Sequence, residues 1–189
     1  LQKYNKMDER YSLRHLRMMS IEEMLRFIPG AWWRGPYLML TTKRKLSKMM
    51  DKILPISGMT YTLRTLHDQD YDLVILTSNN KANVVTFLRK HGMEDFFANI
   101  IETRGLFNKA KHIEKTLKKN NLHASDIIYV GDEIRDIVAC QKIGVRIIAV
   151  TFGFNSKEGL ARWNPDYIVS KPLQILDIID KLTPQKSNI

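Results

Sequence analysis

The 189-residue chain holds a single cysteine, Cys140. No disulfide can form within it, and a reducing compartment suits it, which we read as the cytoplasm. Glycine and proline are sparse, at 9 and 6 residues, while 44% of the chain is hydrophobic, so disordered and low-complexity classes are excluded. Long apolar runs are also missing. The longest is four residues, against the ~18 a membrane-spanning helix needs. The first stretch carries Lys3, Lys6, Asp8, Glu9 and Arg10 in place of the apolar centre of a signal peptide. Acid is in short supply: 20 Asp and Glu face 30 Lys and Arg, a formal net charge of +10. No internal repeat is visible. What remains is a globular chain long enough for one core with an appendage.

From about residue 56 the pattern alternates strand and helix. Leu73-Val74-Ile75-Leu76 is a short unbroken apolar run, the mark of a parallel strand buried on both faces. A helix follows, capped by Asn80, with Val84, Val85, Phe87 and Leu88 inward and Gly92 as its stop. Asn99–Glu102 reads as a second strand. Ala110, Ile113 and Leu117 then space out a helix whose outer face is nearly all lysine. Further strands are expected at Ile127–Val130, Arg146–Val150 and Tyr167–Val169, with helical spacing at Ile134, Ile137 and Val138 after the first of them. Asn155 with Glu158 suggests a capping box, and Pro172 opens a terminal helix to about Leu182. Strands separated by helices of this length predict an α/β domain with a parallel sheet over 53–189. Residues 1–52 differ, with seven of the nine methionines and Trp32-Trp33 between Pro29-Gly30 and Gly35-Pro36. They predict short helices broken at those turns, a small helical cap, with the tryptophans as cap packing.

Ligands of an open parallel sheet bind beyond the carboxyl ends of its strands. One strand ends in Thr77-Ser78-Asn79, two hydroxyls and an amide at a turn into a helix, where free backbone N–H groups would favour an anion. Another ends in Gly131-Asp132-Glu133-Ile134-Arg135-Asp136. Asp132 and Asp136 are four apart, share one face of the helix start and can approach one hard cation. Between them, Asn108-Lys109-Ala110-Lys111 offers a lysine at a helix start, Lys109 preferred over Lys111 by its position. A hydroxyl, a lysine and Gly-Asp with a second Asp, each at a strand end, form a phosphoryl-transfer constellation. Taken singly, Thr77-Ser78-Asn79 is equally an N-cap, and the two aspartates a capping pair.

In order and at these spacings, the segments resemble the haloacid dehalogenase (HAD) superfamily of phosphatases, and within it the phosphoglycolate-phosphatase-like group. Leu73 to Thr77 matches the second motif of that family, the Lys109 region the third, and Val130-Gly131-Asp132 through Asp136 the fourth. Val150 to Asn155, Asn164-Pro165-Asp166-Tyr167 and the Trp32-Trp33 segment are similar to that group as well. The resemblance spans about residues 12 to 180. It implies a Rossmann-like core with a helical cap and Mg2+-dependent hydrolysis of a small phosphomonoester, 2-phosphoglycolate being the guess by analogy. Thr77 would donate its hydroxyl to the substrate phosphate, helped by Ser78 and Asn79. Lys109 would neutralise charge on the phosphate and on the nucleophilic carboxylate. Asp132 would ligate Mg2+, and Asp136 would support it through water or a hydrogen bond.

The first motif of the family, an apolar strand ending Asp-x-Asp-Gly, has no counterpart in residues 1–52. It would supply the nucleophile of an aspartyl-phosphate intermediate, and also a central strand. Asp68-Gln69-Asp70 precedes the strand at Leu73, so it faces the wrong end of the sheet and reads as a solvated acidic turn. We therefore expect roughly 15–40 further residues before Leu1, the length of one strand and its connection. Two rival readings remain: a HAD-like binding domain without catalysis, and a basic nucleic-acid module. The second would use Lys43, Arg44, Lys45, Lys48 and Lys52 with Lys109, Lys111, Lys115, Lys118 and Lys119. No nucleic-acid motif accompanies them, and we read them as solvated faces that also steer a phosphorylated anion. Cys140, on a helix with no base beside it, reads as a small buried hydrophobe. His67, His91, His112 and His123 show no metal-ligand spacing.

Overall fold

The computed structural model describes residues 12–27, 52–103 and 108–183. Trp32, Trp33, Lys43, Arg44, Lys45 and Lys48, and with them most of the expected 1–52 cap, lie outside these residues. In chain order the elements are α1 (Leu13–Leu16), α2 (Ile21–Phe27), α3 (Met59–Asp68), β1 (Leu73–Thr77), α4 (Lys81–Lys90), β2 (Phe97–Glu102) and α5 (Lys109–Lys119). There follow β3 (Ile128–Gly131), α6 (Ile134–Ile143), β4 (Arg146–Val150), α7 (Lys157–Ala161), β5 (Tyr167–Val169) and α8 (Leu173–Leu182). All strand pairs are parallel, and each pair is joined through a helix, as a Rossmann-like α/β fold requires. Among the described residues no helix is long and apolar enough to cross a membrane.

The described residues divide into two compact units, and the division does not follow the boundary at residue 52. The first combines 12–27 with 109–170. Its sheet has the order β3-β4-β5, with Val130 opposite Ile148 and Gly131 opposite Ala149. β4 lies in the middle, and Ile147, Ile148, Ala149 and Val150 are all buried, as an Ile/Ala/Val run without polar interruption requires. Ile134, Ile137, Cys140 and Leu160 complete that core, whereas Val138 stands exposed on the outer face of α6. Gly144, at φ 74°, ends α6 in the left-handed conformation that glycine adopts without strain.

The second unit combines 52–103 and 108 with 171–183. β1 pairs with β2, and α3 packs on α8. Ile113 and Leu117 are the buried positions of α5 in the first unit, while Leu66, Leu88, Met93, Ile175 and Ile179 are buried here. Asn80 caps α4 as the sequence implies, its Oδ1 accepting the Ala82 N–H at 2.7 Å, and Pro172 precedes α8. Two expectations change. β1 is not closed on both faces: Val74 is 45% exposed, and among the described residues β1 has a neighbour, β2, on one edge only. The box at Asn155 is also differently built. Ser156 is the N-cap of α7, its Oγ accepting the Gly159 N–H at 3.2 Å, and Asn155 is buried in other bonds. Asp68, Gln69, Asp70 and Asp72 are exposed before β1, at the opposite end from Thr77.

Candidate active site

In the first unit, β3 delivers its last residue, Gly131, beneath the start of α6. A Cβ at Gly131 would lie 2.6 Å from Asp136 Oδ2 and 2.8 Å from its Cβ, so only glycine lets the Asp136 carboxylate fold back over the strand end. Asp136 is 1% exposed and fully engaged. Its Oδ1 meets the Lys109 ammonium in a close ion pair and accepts the Tyr129 hydroxyl at 3.4 Å. Its Oδ2 accepts the Glu133 N–H at 3.2 Å, which caps α6 from within. Burial pushes the Asp136 carboxyl above the usual carboxylate range, opposed by the Lys109 ammonium and reinforced by Glu133 and Asp132. Lys109 opens α5 with its side chain 12% exposed, 5.8 Å from the Tyr129 ring centroid. Lys111 is exposed.

Asp132 is half-buried and lies against the loop after β4. A Cβ at Gly153 would fall 2.2 Å from Asp132 Cβ and Oδ2, so the carboxylate occupies the space that any other residue at 153 would fill. Asp132 Oδ2 accepts the Phe154 N–H at 2.6 Å, and its backbone carbonyl accepts the Asn155 N–H at 3.0 Å. Among the described residues no hydrogen bond reaches Oδ1. Between the aspartates, Arg135 grips Glu133 with both arms, Nε–Oε2 2.5 Å and Nη2–Oε1 2.7 Å, neutralising a carboxylate that would otherwise face Asp132 and Asp136.

In the second unit, Thr77 ends β1 half-buried. Its Oγ1 accepts the Asn79 N–H at 3.0 Å, which leaves the hydroxyl proton for another acceptor. The backbone carbonyl of Thr77 is held by Thr103, from N–H at 2.7 Å and Oγ1 at 3.2 Å. The N–H groups at the start of α4 are committed inside the protein: Lys81 to Glu102 Oε2 at 3.0 Å, Ala82 to Asn80 and Asn80 to Asn79 Oδ1 at 2.8 Å. Any anion here would be met chiefly by side chains, not by the free backbone amides the sequence suggested.

Residues 2–150, most of the chain, match the family model for haloacid dehalogenase-like hydrolases. The chain belongs to that family. A phosphoglycolate phosphatase of Synechococcus elongatus is 26% identical over 96% of this chain and 85% of its own length. The pyrophosphatase PpaX of Halalkalibacterium halodurans is 27% identical over 68% of this chain and 62% of its own. A crystal structure described as a predicted phosphoglycolate phosphatase from Haemophilus somnus superposes with a TM-score of 0.60, at 25% identity, over 65% of this chain and 56% of that one. Against the phosphoglycolate phosphatases of Vibrio vulnificus and Pectobacterium atrosepticum, the chain spans about half of their length.

Hydrolases of this family generally use Mg2+, a hard cation that binds through few protein carboxylates and keeps several waters. Asp132 fits such an ion as one donor, because no hydrogen bond among the described residues reaches Oδ1. Asp136 has both oxygens committed and fits a supporting place only, behind Lys109. Among the described residues no group of three or more His, Cys, Asp and Glu gathers that could hold a metal. Tyr129 and Asn155 were not singled out as site residues by sequence reasoning. Tyr129 sits inside an apolar strand run that reads as core, and Asn155 inside what looks like a helix cap.

Proposed function

We propose that this HAD-like hydrolase is a phosphatase of small phosphomonoesters, with 2-phosphoglycolate the first substrate to test. The observation that carries the reading is the Lys109–Asp136 pair at the β3 end beside an Asp132 with one oxygen to spare. Two carboxylates and one ammonium, neutralised further by Arg135 on Glu133, suit a site that handles phosphate charge and a cation together. The phosphatases among the relatives support the same reading.

Lys109, fixed by Asp136 and Tyr129, would present its ammonium to phosphate oxygens. Asp132 would hold Mg2+ through its carboxylate, and the bound ion would offset negative charge on the transferring phosphoryl group. Asp136 would hold the Lys109 side chain in orientation. Thr77 would donate its spare hydroxyl proton to a phosphate oxygen, with Ser78 and Asn79 beside it. A cytoplasmic setting belongs to the same proposal, supported by the lone buried thiol of Cys140.

The test is phosphate release from 2-phosphoglycolate, pyrophosphate and p-nitrophenyl phosphate by the natural full-length protein with Mg2+. Release expected for the wild type should fall by about 10²-fold or more in Asp132→Ala, the scale for loss of an electrostatic group in phosphoryl transfer. A folded wild type that releases nothing from any small phosphoester overturns the reading in favour of a binding domain. Unchanged turnover in Asp132→Ala overturns the metal role.

A further inference from the structure

We infer that Asn155 is a positioning residue that ties the orientation of Asp132 to the docking of the 12–27 segment. Asn155 is 2% exposed, and its carboxamide is used in both directions. Nδ2 donates to Arg17 O at 3.0 Å and Met19 O at 2.9 Å, gripping the turn between α1 and α2. Oδ1 accepts the Ile134 N–H at 3.0 Å, at the start of α6, two residues beyond Asp132. The backbone N–H of Asn155 donates to Asp132 O. One side chain thus bonds to both segments, and an amide is the only neutral group able to donate twice and accept at once in so little space.

Arg17 closes the bridge from the other side. Its Nε donates to Phe154 O and its Nη2 to Gly153 O, both at 2.9 Å, while Arg17 O also accepts the Ser156 N–H at 2.8 Å. Gly159 permits the approach: a Cβ there would meet Arg17 O and Met18 Cα at 2.9 Å. The peptide that Arg17 grips at Gly153 and Phe154 is the one whose N–H, on Phe154, holds Asp132 Oδ2 at 2.6 Å. A shift of the 17–19 turn therefore pulls on the loop that aims the Asp132 carboxylate, in part through the buried Asn155 carboxamide, where leaving a partner unsatisfied is costly. The consequence for catalysis rests on the phosphatase reading, whereas the coupling itself does not.

The experiment is hydrogen exchange on the full chain without substrate, followed in peptides covering 129–137 and 152–157, on wild type, Arg17→Ala, Asn155→Ala and Ser20→Ala. Ser20→Ala is the control. It removes the Ser20 Oγ that accepts the Glu23 N–H at 3.1 Å at the start of α2, without touching the loop. Exchange in 129–137 should accelerate by roughly three- to tenfold in Arg17→Ala, which removes two solvent-screened guanidinium hydrogen bonds to backbone carbonyls, and stay at the wild-type rate in Ser20→Ala. Arg17→Ala keeps the proposal testable if Asn155→Ala fails to fold. A wild-type rate in Arg17→Ala, or equal acceleration in Ser20→Ala, overturns it. The midpoint for Mg2+ in thermal shift should also rise several-fold in Arg17→Ala. If exchange responds as expected while even the wild type shows no Mg2+ response, the coupling stands and the metal reading of Asp132 fails.

Discussion

Lys109→Met is the sharpest perturbation of the candidate site. It keeps the stem of the side chain and removes only the ammonium, leaving Asp136, 1% exposed, with the Tyr129 hydroxyl and the Glu133 N–H. Removing one partner of a buried pair costs about 3–5 kcal/mol, because the remaining charge is uncompensated. With two donors still in place, we expect the low end, about 3 kcal/mol, near pH 8. For a chain of this length that lowers Tm by roughly 6–12 °C. The reverse variant, Asp136→Asn, frees an ammonium that can reach solvent, so it should cost only about 1 kcal/mol. The pH dependence fixes the cause. Burial raises the native Asp136 carboxyl above its unfolded value. The native state therefore holds a proton that the unfolded state has lost, and stability falls as pH rises through that window. Without Lys109 the window extends further upward, so the Lys109→Met penalty should be largest above that window and shrink as pH falls through it. Urea denaturation of both variants across pH measures this. A penalty that does not change with pH, or Asp136→Asn costing more than Lys109→Met near pH 8, would refute an ionic Lys109–Asp136 contact.

Gly153→Ala should displace the Asp132 carboxylate, since the new methyl would sit 2.2 Å from its Cβ; overpacking of this kind costs about 1–3 kcal/mol, read as a lower denaturation midpoint together with weaker Mg2+ response. The Cys140 thiol, buried and pushed up to about 12 chiefly by burial, should stay silent to a thiol-specific chromogenic reagent near neutral pH and react only on unfolding; stoichiometric reaction in the native protein would contradict that burial. Thr77→Ser should retain most activity because it keeps the hydroxyl that accepts from Asn79 and donates outward, whereas Thr77→Val should lose about tenfold or more in kcat/KM; equal activity in the two would remove Thr77 from the phosphate-binding set.

Local chemistry already written in the chain determined much of this architecture. The run Ile147–Val150 is apolar at every position and could only be a strand covered on both faces. Asn80 and Gly92 bracket α4 by capping and by a left-handed turn, both of which depend on a few neighbouring residues. The order of Thr77, Lys109 and Gly131-Asp132 with Asp136 pointed to phosphate chemistry before any distance was known, because each residue type sits where a strand meets a helix. Tertiary structure alone decided which groups meet. Whether Lys109 or Lys111 reaches Asp136 depends on how α5 packs against α6, and one residue along a helix turns the side chain by about 100°. The sharing of Asn155 between Arg17, Met19 and Ile134 joins positions more than a hundred residues apart, with no local pattern to announce it. Val74 shows the converse. Its strand was legible from hydrophobicity, but its exposure depends on what lies across the sheet edge, which is a property of the assembled fold and not of the residue.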